Sequence, residues 1–280
     1  MTYEQQYINL CNRLIYEGHP IKNERTGKVC HTVINADFVI TPDDAPLLTI
    51  KKSFPVSAAA ELLGYLRGYT NAEKFASIGS PTWFANSNET VSWLNNPNRK
   101  GDNDMGKVYG AIGRDFGSID LFRKVVNNLS KGVDDRGEII TFWKPDEFDK
   151  GCLRPCMHTH HFSLINDTLH LTSYQRSCDV PLGLNFNSIQ CYVFLGLMAK
   201  ITGYKQGNVY HKIVNAHIYD DQMEGVKTML DRKPLDQRGK IEISDWINDL
   251  SDLEYDRHAR DYISVSNYYH YGKIDFPMTA

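Results

Sequence analysis

The chain has 280 residues, 41% hydrophobic and 23% charged, a globular rather than disordered composition that is long enough for a sizeable core. A net charge of −3 argues against general affinity for nucleic acid or anionic membrane, while leaving room for a local basic pocket that holds a small anion. No apolar run reaches the length of a membrane span and no signal peptide is visible, and the scattered Cys11, Cys30, Cys152, Cys156, Cys178 and Cys191 read as free thiols of a cytoplasmic protein.

In chain order, residues 28–40 alternate loosely and are rich in Val, Ile and Thr, which predicts a strand. Residues 56–66 form an apolar helix face through Ala59, Leu62, Leu63 and Leu66, stopped by Gly68. Residues 86–105, rich in Asn and Gly, predict a surface loop with a short helix at 91–94. Residues 119–129 read as a helix with Ser118 as N-cap, and 138–143 as a strand. Strands at 158–165 and 168–177 are joined across Asn166-Asp167, a hairpin signal. Residues 188–201 are apolar nearly all round, a buried helix ended by Gly203. A strand at 209–214, an amphipathic helix at 218–230 and an aromatic, docked tail from Leu253 complete the chain. There is no repeat, no composition shift and no regular βαβ alternation, so the expected class is α+β, with residues 1–280 as one domain.

Cys156 follows Pro155 and opens a strand, and the hairpin would return Arg176 towards it. A guanidinium beside a thiol stabilises the thiolate, which is what a nucleophilic cysteine needs. The competing readings are a buried structural cysteine and a zinc site from Cys152, Cys156, His158, His160 and His161. On an unbroken strand Cys156, His158 and His160 would share one face, but about 7 Å apart, which suits a tetrahedral site poorly, and no metal is expected.

The run from Tyr174 to Asn187 (YQRSCDVPLGLNFN) closely resembles the signature of thymidylate synthases. Further matches stand in the same order: Glu24-Arg25-Thr26-Gly27, Glu61-Leu62-Leu63, Gly68-Tyr69-Thr70-Asn71, Thr82-Trp83, Val108-Tyr109-Gly110, Arg114-Asp115-Phe116-Gly117, Pro155-Cys156 and Ala216-His217-Ile218-Tyr219. This resemblance covers nearly the whole chain. It implies a mixed sheet with helices on one side, a dimer formed sheet to sheet, and one-carbon transfer from 5,10-methylenetetrahydrofolate to C5 of a pyrimidine nucleotide.

Carried over, Cys156 would attack C6 of the ring. Arg25, Arg176 and Ser177 would hold the phosphate, joined by Arg136 of the other subunit, and Gln175 would belong to the same nucleotide site. His217 and Tyr219 would bond the sugar hydroxyl, Glu61 would relay protons, and Tyr109 would sit near the nucleophile. Asp179 would meet the pterin, with Trp83, Gly183 and Ala280 lining the folate site. Asn187 matches the uracil edge, since an amide both donates and accepts, whereas cytosine-specific relatives carry Asp there. The expected partners are therefore dUMP, folate and a second copy of the chain, with no nucleic acid and no membrane. The hydroxyl contacts leave a ribonucleotide open, and a non-catalytic nucleotide-binding relative is the alternative from another class.

Several positions depart from the family pattern. Met157 replaces His, Gly137 replaces a second Arg, Gly64, Asn86 and Gly113 replace Trp, Phe84 replaces Asp and Asn185 replaces Pro. Loss of large aromatic residues would open or wet the pocket, and water would then capture the reactive methylene as a hydroxymethyl group. The main expectation is accordingly a deoxyuridylate hydroxymethylase, as in phages that modify their DNA, acting in the host cytoplasm, with thymidylate synthase as the alternative.

Overall fold

The computed structural model describes residues 1–24, 27–236 and 238–278. Helix α1 (Tyr3–Glu17) starts where the Thr2 hydroxyl accepts from the Gln5 N–H, and buries Tyr3, Tyr7, Leu10, Cys11 and Leu14 at helical spacing. Strands β1 (His19–Lys22) and β2 (Val29–Ile40) follow, then α2 (Pro55–Leu66), which opens on a proline at its first turn and is buried almost all round. Short helices α3 (Ala72–Ser77), α4 (Phe84–Asn88), α5 (Val91–Leu94) and α6 (Gly110–Arg114) lead to α7 (Leu121–Leu129). The asparagine-rich loop is pinned rather than loose. Trp93 is buried with its indole N–H on the Asp104 carbonyl at 2.6 Å, and Met105 accepts from the Cys152 N–H at 2.9 Å.

Strands β3 (Ile139–Thr141), β4 (Met157–Ile165), β5 (Thr168–Asp179) and β6 (Lys205–Tyr219) complete a six-stranded sheet of order β1-β2-β6-β5-β4-β3. Only β5 and β6 run parallel; the other neighbours are antiparallel, so the sheet is mixed. Between β5 and β6 the chain crosses over through α8 (Asn185–Thr202), closed by Gly203 in the left-handed conformation at φ 81°. Residues 180–202 are long and apolar enough to cross a membrane, but they are mostly buried as the central core helix. Helix α9 (Met223–Leu230) and a separate ribbon of β7 (Lys240–Ile243) and β8 (Ile263–Ser266) follow.

The helices cover one face of the sheet. Ser173, Gln175, Val209, His211 and Ile213 are buried beneath them, while Tyr174 and Val214, their neighbours on the alternate face, are exposed, as are Ile34 and Val39 of β2. The expected α+β class with a mixed sheet is therefore found.

Among the boundaries that differ from expectation, three have a visible cause. Helix α7 begins two residues late, because the Asp120 carboxylate caps the N–H groups of Phe122 and Arg123 while Ser118 is held left-handed in a tight turn. The expected helix at 218–230 starts only at Met223, because β6 stays paired with β2 through Tyr219. And the strand expected at 209–214 is far longer, since β6 lies between two partners along most of its length. The tail is docked as expected: Tyr271 N–H bonds the Thr49 carbonyl and Lys52 N–H the Gly272 carbonyl, both at 2.9 Å.

Candidate active site

Cys156 is the one cysteine of the six that is not fully buried. It sits where β4 meets β5: its N–H donates to the Tyr109 hydroxyl at 3.0 Å and its carbonyl accepts from the Arg176 N–H at 2.9 Å. Arg176 is held beside it, with Nε on the Pro155 carbonyl at 2.9 Å, Nη2 on the Arg154 carbonyl at 3.1 Å, and its guanidinium over Trp143. Next along β5, Ser177 pairs with Asn215, and Asp179 pairs with His217 on β6. The hairpin thus brings Cys156, Arg176, Ser177, Asp179 and His217 to one end of the sheet.

Behind the cysteine stands an aromatic wall. Tyr109, in a left-handed backbone conformation at φ 43°, stacks on Tyr65 at 4.7 Å with ring planes 6° apart. Trp83 packs edge-on to Tyr109 at 5.7 Å, and Phe75 and Phe142 close the cluster. Here an expectation fails. A side chain at Gly64 would meet the Phe75 ring at 2.2 Å, and one at Gly113 would meet Phe122 and Phe142 at 2.9 Å. The space beside these two glycines is filled from other positions, so the wall is closed there. Met157 likewise does not face the cleft; it is buried with its sulfur 3.3 Å from the Cys191 thiol on α8.

A chain of amides, with Gln175 and Gln190 buried and Asn187 half-buried, runs beside this wall. Glu61 on α2 accepts from the Tyr65 hydroxyl at 2.7 Å, from Gln190 Nε2 at 3.1 Å and from the Thr82 hydroxyl; burial pushes its carboxyl up. Gln190 Oε1 accepts from Asn187 Nδ2 at 3.0 Å, and Asn187 Oδ1 accepts from Gln175 Nε2 at 3.1 Å. Gln175, expected in the nucleotide site, is buried, with Nε2 also on the Ser177 carbonyl and Oε1 accepting from His211 Nε2 at 2.8 Å. Gly183 lies beside Asn187.

Burial pushes the Asp179 carboxyl up to about 6, and its oxygens accept from Leu182 N–H and from Gln222 Nε2 at 3.0 Å. Gln222 also donates to the Pro277 carbonyl at 3.1 Å, tying this carboxylate to the C-terminal tail. His217 is held neutral, burial pushing it down to about 4, and its ring meets Tyr219 edge-on. A groove of about 190 Å³ lies between Lys51, Leu182, Phe186 and Phe276.

Not every expected residue converges. Arg25 and Ala280 lie outside the described residues. Arg136 is exposed before β3, and its near neighbour Asp134 binds the Leu164 N–H, eight residues along β4 from Cys156. At 3.3 Å per residue that is roughly 25 Å, so Arg136 cannot serve the site of its own chain. The zinc reading fails locally: a bulge between Met157 and Thr159 turns His160 into the core and His158 onto Trp143, so the shared face is broken. Among the described residues no group of His, Cys, Asp and Glu suits a metal. Gln190, His211, Tyr65 and Phe75 were not anticipated; a glutamine in an otherwise apolar helix, three residues after Asn187, was the available signal.

The thymidylate synthase family model matches residues 5–280. The chain belongs to the thymidylate synthase family. It is 56% identical over 284 aligned positions to the thymidylate synthase of Idiomarina loihiensis, covering 99% of this chain and 100% of that one. Identity to the thymidylate synthase of Shewanella piezotolerans is 55% at the same coverage, and to that of Haemophilus influenzae 58% over 89% of this chain and 91% of that one. Thymidylate synthases are folate-dependent one-carbon transferases that bind dUMP with 5,10-methylenetetrahydrofolate as co-substrate, and the chain is an enzyme of that kind.

Proposed function

We propose that the enzyme converts dUMP to dTMP and oxidises its folate to dihydrofolate, rather than making 5-hydroxymethyl-dUMP. The closed aromatic wall carries this reading: with Phe75, Phe122 and Phe142 filling the space beside Gly64 and Gly113, water is kept from the reacting carbon. The names of its relatives support the same product.

In this reading the Cys156 thiolate adds to C6 of uracil, which makes C5 nucleophilic towards the one-carbon unit. The C5 proton then leaves, with Glu61 and its hydroxyl partners as the relay. The bond from the one-carbon unit to folate N5 then breaks, leaving an exocyclic methylene on C5; hydride from C6 of the tetrahydrofolate converts it to methyl, and the Cys156–C6 bond breaks to restore the ring and the thiolate. Arg176 and Ser177, with Arg25 and Arg136 of a second subunit, hold the phosphate. The sheet-to-sheet homodimer typical of the family would bring that arginine over the exposed sheet face. His217 and Tyr219 take the sugar hydroxyl, and Asn187 reads the uracil edge. For the folate, Asp179 offers an acceptor for a pterin N–H, Trp83 would line the same site, and Gln222 ties Asp179 to the tail at Pro277. Free thiols suit a reducing cytoplasm.

The test is one incubation with dUMP and 5,10-methylenetetrahydrofolate, reading nucleotide mass and folate oxidation state together. Methylated nucleotide with equimolar dihydrofolate is expected; hydroxymethylated nucleotide with tetrahydrofolate would contradict the proposal.

A further inference from the structure

The amide chain beside the base site runs in one direction from end to end. The Ser188 hydroxyl lies 3.3 Å from His211 Nδ1, His211 Nε2 donates to Gln175 Oε1, Gln175 Nε2 to Asn187 Oδ1, Asn187 Nδ2 to Gln190 Oε1, and Gln190 Nε2 to Glu61. Two of the groups that fix this polarity cannot reverse. The Ser177 carbonyl only accepts, so the amino group of Gln175 must face it, and a carboxylate at Glu61 demands the amino group of Gln190. With Gln175 so oriented, its Oε1 needs a donor. His211 supplies one only as the Nε2–H tautomer, and burial, which pushes the ring down to about 4, keeps it neutral with Nδ1 free to accept from Ser188.

We infer that His211 is a specificity-determining positioning residue: together with the Ser177 carbonyl it holds Gln175, satisfying the Oε1 that would otherwise be unpaired, and through Gln175 it holds the amide of Asn187 that sets which base the site accepts. This rests on the reading that Asn187 contacts the base. Asn187 has two N–H groups and two lone pairs, and the chain consumes one of each. The remaining donor and acceptor match O4 and N3–H of uracil. Cytosine presents a donor at N4 and an acceptor at N3, and would need the amide turned over. Turning it over would set Asn187 N–H against Gln175 N–H, and Asn187 oxygen against Gln190 oxygen, inside a buried network where unpaired groups are costly. His211 lies outside the substrate contact and acts through two amides, which is why no local motif around Asn187 reveals it.

The test measures dUMP and dCMP affinity by calorimetry for His211→Phe, His211→Gln and Asn187→Asp in the full-length enzyme. His211→Phe removes the donor and should lower the dUMP-to-dCMP affinity ratio by about tenfold or more, while His211→Gln, which again offers an N–H, should restore most of it. Should His211→Phe not fold, Gln175→Met cuts the same chain and should lower the ratio similarly. A ratio within about twofold of wild type in a folded His211→Phe protein, with only its melting temperature reduced, would overturn the inference. Asn187→Asp separates the two levels: if it leaves the ratio unmoved, the base-reading role of Asn187 itself is wrong, whatever His211 does.

Discussion

In the proposed reading, the base end and the phosphate end of the site are built on opposite principles. At the base end, Glu61, Gln190, Asn187, Gln175 and His211 form a continuous chain of hydrogen bonds, most of it buried. At the phosphate end, Arg176 is partly exposed and bound to backbone carbonyls, and Arg136 is fully exposed and far from its own cysteine. Selection of a base needs fixed donor and acceptor polarity, which only a buried, fully satisfied network supplies. Retention of a dianion needs only charge at short range, which solvent-exposed guanidinium groups supply and a second subunit can complete. Cys156 sits between the two, touching Tyr109 on one side and Arg176 on the other.

The largest expected effect breaks both ends at once. Cys156→Ala should lower kcat by about 10⁴-fold or more in steady-state assays, without shifting the melting temperature, because this thiol is not part of the buried core. Phe75→Ala attacks the base end alone. It leaves a cavity beside Gly64, should cost about 3–5 kcal/mol in denaturant unfolding, and should let some hydroxymethyl-dUMP appear among the products by mass spectrometry. Arg176→Ala attacks the phosphate end and should raise the KM for dUMP by about 10–100-fold while leaving the preference over dCMP intact. There the comparison sharpens further. Mixing Cys156→Ala with Arg136→Ala protein should recover about one quarter of wild-type activity, since one site of each mixed dimer is then whole, whereas a site confined to one chain would recover nothing.

The smallest effect is a pH dependence at Asp179. Its carboxyl titrates at about 6 in the fold against 3.8 ordinarily, so folding favours the protonated form. The associated stability is full below pH 3.8 and lost as pH rises through 6, at most about 3 kcal/mol. Asp179→Asn should therefore raise the melting temperature at pH 8 and not at pH 4, while weakening folate use. In the wild type, kcat/KM for folate should fall as pH drops below about 6, where the acceptor is protonated.

Much of this was legible in the sequence where the cause is local. The Asn166-Asp167 turn, the buried helix ended by Gly203 and the short helix at Val91–Leu94 follow from neighbouring residues. So do the Cys156 and Arg176 juxtaposition, which needs only a hairpin, and the placing of Asp179 and Asn187 after it. What was not legible depends on residues far apart in the chain. The length of β6 is set by two partners, and the start of α7 by a carboxylate that outcompetes Ser118. The opening expected beside Gly64 and Gly113 is absent for the same reason: Phe75, Phe122 and Phe142 fill that space from other segments. His211 and Gln190 read as an isolated strand histidine and helix glutamine until the sheet and α8 bring them to Gln175 and Asn187.

The central claim is that a dry site delivers hydride, not water, to the new carbon. Conversion of tetrahydrofolate to dihydrofolate removes the hydrogen at C6, so the direct measurement uses 5,10-methylenetetrahydrofolate deuterated there, followed by mass spectrometry of the nucleotide. The expected result is dTMP carrying a single deuterium. Nucleotide without deuterium, whether methylated or hydroxymethylated, would contradict it.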